Sequence, residues 1–371
     1  MNKEQAIDLF KPYSIGKLEL RNRFVRSATW DNTADSRGVV TDLSVARYEA
    51  LGKGGIGLII NAFAYVSSLG QALPGQYGVH NDNMIPGLSK LSQAVHKGGG
   101  KAALQLAHAG INSAYLPKEG IVSLAVSKRQ DLSKPHREMT DEEIDGIIND
   151  FAVAALRARE AGFDAVQLHG AHGYLMSQFL SPIYNFRNDR WGGEAEKRGR
   201  FHIELVRRVR KALGEDFPLL VKLGIQDDEG GGLTLSAGIA TALRMVEAGI
   251  DAIEVSGGVG RIRLAPKKNE PEPVPYRERA GSLKKSVNVP VIVVLGIRSL
   301  EMAQNIVDSG DADLVSISRP FIREPDLIAR WERGDRTPAK CTSCDLCDVW
   351  NDEPIQCREQ SYLKARVCDN T

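Results

Sequence analysis

AGFDAVQLHGAHGY, residues 161–174, carries three signals in direct succession. Gly162 closes an amphipathic stretch, Asp141–Ala161, in the manner of a helix C-cap, because glycine takes positive φ without steric cost. Ala165–His169 (AVQLH) is then a short, mostly apolar run of the kind found in strands buried on both faces. Polar residues crowd its end: His169, His172 and Tyr174. The unit is therefore helix, glycine, buried strand and polar loop, and it recurs: AGIDAI leads into Ala252–Ser256 and SGDADL into Leu314–Ser318.

Further apolar runs lie at Phe24–Ala28, Ile56–Ile60, Ala102–Leu106, Leu219–Leu223 and Val291–Leu295, and further amphipathic stretches at Glu194–Leu213, Ser236–Ala248 and Leu300–Ser309. Eight strands alternating with helices predict an α/β fold, a (β/α)8 TIM barrel over residues 1–335, followed by a short Cys-containing tail over 336–371. A doubly wound sheet is the rival, but it would normally open with GxGxxG after its first strand, and here that strand runs into Ser27-Ala28-Thr29-Trp30.

Composition narrows the function. Lys plus Arg number 48 against 47 Asp plus Glu, so no global field favours nucleic acid or an anionic membrane. No apolar run approaches the ~20 residues of a membrane helix, and MNKEQAIDLFKPYS has no apolar signal core. All five cysteines fall between Cys341 and Cys368, unlike a disulfide framework. These features predict a cytoplasmic protein acting on a small molecule.

Barrel chemistry sits at the C-terminal strand ends. Gln105 and Lys222 are polar side chains inside apolar strands, where each needs a partner. They are either solvated strand ends or two contacts to one polar ligand, with Lys222 beside a site that becomes anionic and Gln105 on a heterocycle edge. His169 and His172 could bind a metal, which would need a carboxylate ligand as well. They could instead donate to a substrate oxygen while Tyr174 supplies a proton. Gly296, Ser318 and Arg319, after the seventh and eighth strands, suit a phosphate.

The sequence resembles the Old Yellow Enzyme, or NADH:flavin oxidoreductase, family. The resemblance rests on PYSIGKLELRNRFVRSAT, LQLAHAG (104–110), HGAHGYLMSQFLSPIYNFRNDRWGG (169–193), VLGIRS and SISRPFIREPDL. It implies an FMN-dependent ene-reductase that moves hydride from NAD(P)H, through flavin N5, to the activated C=C of an enone, enal or enoyl-type substrate. Carried onto these residues, Ala28, Thr29 and Ala62 line the flavin, and Gln105 bonds its pyrimidine ring. Lys222 faces its N1/O2 edge, and Gly296, Ser318 and Arg319 hold its phosphate. His169 and His172 bind the substrate oxygen, and Tyr174 is the proton donor. There are departures. Ser27-Ala28 stands where many members have Pro-Met, Leu295 and Ser318 where Gly is common, and Trp191 where Tyr is common. Phe63 makes one flavin-edge contact bulkier.

Cys341, Cys344, Cys347 and Cys357 have a spacing that leaves an iron–sulfur cluster, a structural zinc and free thiols open. The resemblance extends to the barrel domain of 2,4-dienoyl-CoA reductase, a longer relative that holds a 4Fe–4S cluster after its barrel. The sequence also gives Asp345, Asp348, Asp352 and Glu353 no evident cation. Two other functions remain: an electron-transfer subunit serving a separate partner, and a metal-dependent barrel hydrolase. A second copy of the chain is a further candidate partner. The loop RIRLAPKKNEPEPVPYRERA could meet a nicotinamide or CoA phosphate through Lys267 and Lys268.

Overall fold

The apolar runs pair edge to edge in chain order. They form β1 (Phe24–Arg26), β2 (Leu58–Ile60), β3 (Lys101–Ala107), β4 (Ala165–Gly170), β5 (Leu219–Gly224), β6 (Ala252–Ser256), β7 (Val291–Val294) and β8 (Leu314–Ile317). Every neighbouring pair is parallel, and β8 returns to β1 with Val315 opposite Phe24, so the ring closes. The protein is a TIM barrel. Residues 6–260, 262, 264, 273–347 and 353–359 are described in this computed structural model. The basic loop around Lys267 and Lys268, and Asp348, Asp352 and Cys368, lie outside them.

The helix C-termini follow the glycine rule, with φ +80° at Gly162, +113° at Gly249 and +73° at Gly310. One expected helix divides: Glu194–Leu213 becomes Ala195–Arg198 and Arg200–Leu213, with the break at Gly199. Glycine is a poor helix former, and this one packs its backbone against Thr241, where a Cβ would meet Oγ1 at 3.2 Å.

Side chains alternate along a strand, so one set faces the helices and the other the barrel axis. Leu104, Val166, Val221 and Val255 belong to the outer core with Phe151 and Met245. Val25, Leu58, Ala103, Ala165, Leu220, Ala252, Ile292 and Leu314 form an apolar layer inside. An N-terminal hairpin, Tyr13–Ile15 with Leu18–Leu20, seals that layer from below through Ile15, Leu18 and Leu20. Two residues further up the strands the interior turns polar: Ser27, Gln105, Gln167, Lys222, Glu254 and Ser316 are all buried.

The described part of the tail returns over the barrel. Ala339 donates to the Arg298 carbonyl at 2.7 Å and Ile355 to that of Asp31 at 2.9 Å. Arg47 donates to the Ile355 carbonyl at 2.6 Å. Among the described residues, no helix is long and apolar enough to cross a membrane.

Candidate active site

The loop after β4 turns because two successive residues adopt left-handed backbone, His172 at φ +59° and Gly173 at φ +72°. Asn112 and Gln178 side chains each donate to the Gly173 carbonyl at 2.7 Å, and the His172 amide donates to Gly257 at 3.0 Å. The turn brings three rings together. His169 lies 5.2 Å from His172 and 5.1 Å from Tyr174 between centroids, both edge-on. The His172 Nε2 pairs with Ser256 Oγ at 2.8 Å. His169 Nδ1 is buried without a partner, a polar atom of the kind a ligand would satisfy.

These rings wall a cavity of about 500 Å³ at the barrel mouth, together with Ser27, Ala28, Trp30, Phe63, Gln105, Lys222, Tyr276 and Ser318. A second cavity of about 270 Å³ shares Trp30, Leu295 and Ser318 with it and adds Thr29, Arg319 and Cys347. Most of the residues expected to hold the cofactor and substrate thus converge on two adjoining cavities. Ala62 and Gly296 line neither of these two cavities: the Ala62 amide donates to the Tyr48 hydroxyl at 2.7 Å, and a Cβ on Gly296 would fall 2.2 Å from the Pro273 carbonyl oxygen. Leu295 takes φ +82°, a conformation that costs a branched side chain energy and that glycine would take freely. Thr29 Oγ1 meets Ser318 Oγ at 2.8 Å, tying the end of β1 to the end of β8.

Burial sets the protonation states. It pushes the Tyr174 phenol up to about 12, so the proton stays on oxygen. Burial, then the nearby His172 and Lys222, holds His169 well below the ordinary histidine value, so it is neutral. Burial also lowers Lys222, while Glu254 opposes that shift and Arg26 reinforces it.

Sequence reasoning missed Glu254 and Gln167. Both interrupt apolar strands (AIEVS and AVQLH), the same signal that singled out Lys222 and Gln105.

The metal assignment finds no support. Cys341, Cys344, Cys347 and Cys357 line one small pocket with Arg319 and Arg323. Yet among the described residues no three His, Cys, Asp or Glu side chains are placed to hold a metal ion. No disulfide joins these four cysteines to one another, and Cys344 is exposed. Burial raises the Cys341 and Cys357 thiols above their ordinary value. Neither zinc nor an iron–sulfur cluster is supported. The described acids among those named do have cations: Asp345 pairs with Arg319 and Glu353 with Arg358, and Glu359 likewise pairs with Arg323. The same finding leaves His169 and His172 without the third ligand a metal-dependent hydrolase needs.

The site is thus a closed barrel with a polar mouth, a buried lysine and a His–His–Tyr cluster. Residues 8–337 match the family described as NADH:flavin oxidoreductase / NADH oxidase, and the chain belongs to that family. It is 37% identical over 346 residues to an NADH oxidase of Thermoanaerobacter brockii, covering 91% of this chain and 53% of that one. It is 35% identical over 318 residues to an NADPH dehydrogenase of Listeria welshimeri, covering 85% and 92%. A solved 2-naphthoyl-CoA reductase in complex with 2-naphthoyl-CoA superposes with a TM-score of 0.87 at 30% identity, covering 94% of this chain and 56% of that one. The chain spans about half the length of the first and third of these relatives.

The cavities fit FMN by their donor set. Lys222 and Gln105 face the larger cavity, and Arg319 supplies a forked cation to the smaller one.

Proposed function

We propose that the chain uses NAD(P)H and FMN to reduce an activated C=C bond in an enone, enal or enoyl thioester. The observation that carries this reading is the convergence of His169, His172 and Tyr174 on the cavity that Lys222 and Gln105 also face. FMN, when bound, supplies hydride chemistry at N5. The protein supplies the rest. Lys222 and Gln105 bind the pyrimidine edge of the flavin, and Arg319 its phosphate. His169 and His172 hold and polarise the electron-withdrawing oxygen of the substrate, withdrawing charge from the double bond. Tyr174, which keeps its proton, delivers it to the α-carbon. Phe63 and Trp30 form apolar walls that exclude water from the reacting centre. The similarity to the naphthoyl-CoA reductase supports a thioester among the substrates.

The test separates the two half-reactions. Tyr174→Phe should slow reoxidation of the reduced protein by 2-cyclohexenone by about 10²-fold or more. Reduction by NAD(P)H should stay within about twofold, because no proton from Tyr174 is used there. Equal slowing of both steps would remove the proton-donor role.

A further inference from the structure

Inside the barrel, at the floor of the cavity, a chain of hydrogen bonds and one ion pair crosses from β3 to the end of β1. Gln105 Nε2 donates to Gln167 Oε1 at 2.6 Å, and Gln167 Nε2 donates to Glu254 Oε2 at 2.9 Å. Ser316 Oγ donates to the other carboxylate oxygen at 2.8 Å. Lys222 Nζ lies 3.6 Å from Glu254 Oε2 and donates to Ser27 Oγ at 2.6 Å. Only the two ends of the chain, Gln105 at one and Lys222 with Ser27 at the other, line the cavity. Glu254, Gln167 and Ser316 are fully enclosed, at 0% exposure.

A carboxylate accepts and never donates while ionised. Glu254 therefore obliges Gln167 to present its amide hydrogens on one side and its oxygen on the other. That oxygen in turn draws the Gln105 amide nitrogen inward and leaves the Gln105 oxygen toward the cavity. At the opposite end, the same carboxylate is the counter-ion of a lysine that is otherwise taken out of water. The groups facing Lys222 are Glu254 from β6, Arg26 from β1, which repels it, and the neutral His169 from β4. Glu254 is thus the one described anion holding the lysine as a cation. Removing one partner of a buried pair leaves the other charge uncompensated, and such a group neutralises instead.

We propose that Glu254 is a positioning residue for the flavin: it keeps Lys222 a cation aimed at the pyrimidine edge and fixes the Gln105 amide through Gln167, so that two-electron reduction takes up one proton. The inference rests on the flavin being seated as proposed above. Two electrons from a chemical reductant and one proton from solvent form the N5–H bond and leave a negative charge at the N1/O2 edge. Lys222, already protonated, meets that charge with no further uptake. Without the Glu254 charge, Lys222 is neutral beside oxidised flavin and binds a second proton from solvent on reduction.

The experiment is a dye-coupled reductive titration of the FMN-loaded protein across about pH 6 to 9. The pH dependence of the midpoint potential counts protons per two electrons. Wild type and Glu254→Asp should take up one, and Glu254→Gln should approach two. A merely structural role for Glu254 would change stability and leave that count alone. If Glu254→Gln does not fold, two protons taken up by wild type still overturn the inference. So does a flavin-loaded Glu254→Gln that still takes up one proton at an unchanged potential. Protein that binds no FMN overturns both the inference and the reading beneath it.

Discussion

The phenol ring of Tyr174 stacks on Phe63, with centroids 5.5 Å apart and 30° between the planes. Phe63 also meets His169 edge-on at 5.8 Å. One apolar side chain at the end of β2 therefore contacts both the expected proton donor and one of the oxygen-binding imidazoles.

Phe63→Leu removes the stack while keeping an apolar wall. Aromatic pairs contribute about 0.5–1.5 kcal/mol beyond their buried area, or roughly 2–10-fold in rate if the contact orients Tyr174. Stopped-flow reoxidation by an enone should slow by that factor, with flavin reduction unchanged and Phe63→Tyr close to wild type. Unaltered reoxidation in Phe63→Leu would mean that the turn alone orients the phenol.

His202 is fully buried, neither ring nitrogen has a partner, and burial pushes it down to about 3. The unfolded chain binds a proton at this residue below the ordinary value of 6.5, and the folded chain does not. Stability therefore falls as pH drops through 6.5, at about 1.4 kcal/mol per pH unit for each such histidine, or about 2 kcal/mol at pH 5. His108, also at about 3, adds in the same direction. Urea unfolding at pH 7 and pH 5 should show the loss, and His202→Leu should reduce it by roughly 2 kcal/mol. An identical pH dependence in that variant would count against a neutral buried His202.

Arg319 pairs with Asp345 of the tail, although it is also the cation expected to meet the flavin phosphate. A charged hydrogen bond contributes about 1.5–3 kcal/mol, so Arg319→Ala should weaken FMN binding about 10–150-fold. Asp345→Asn frees the guanidinium and should tighten binding a few-fold. Fluorescence titration of the apoprotein measures both. Affinity indifferent to either change would move the phosphate elsewhere.

The barrel was legible because its signals are local. Short apolar runs such as LLVKL and glycines such as Gly162 mark each strand and helix end within a few residues. The strand-end cluster HGAHGY was legible for the same reason. Long-range polar pairing was not. Arg319 and Asp345 lie 26 residues apart, and Gln167 and Glu254 87 apart. No local pattern links either pair, so the acids of the tail read as unpaired and Glu254 went unnoticed in its strand. The break at Gly199 was hidden too, because the amphipathic period continues across it and only contact with Thr241 exposes it.

The hairpin that brings Ile15, Leu18 and Leu20 against the lower interior layer makes the barrel a cup rather than a tube. Anything that reaches the reacting centre arrives and leaves through the same opening. The floor of the barrel, built of apolar side chains, thus confines traffic to the end where the polar cavity lies.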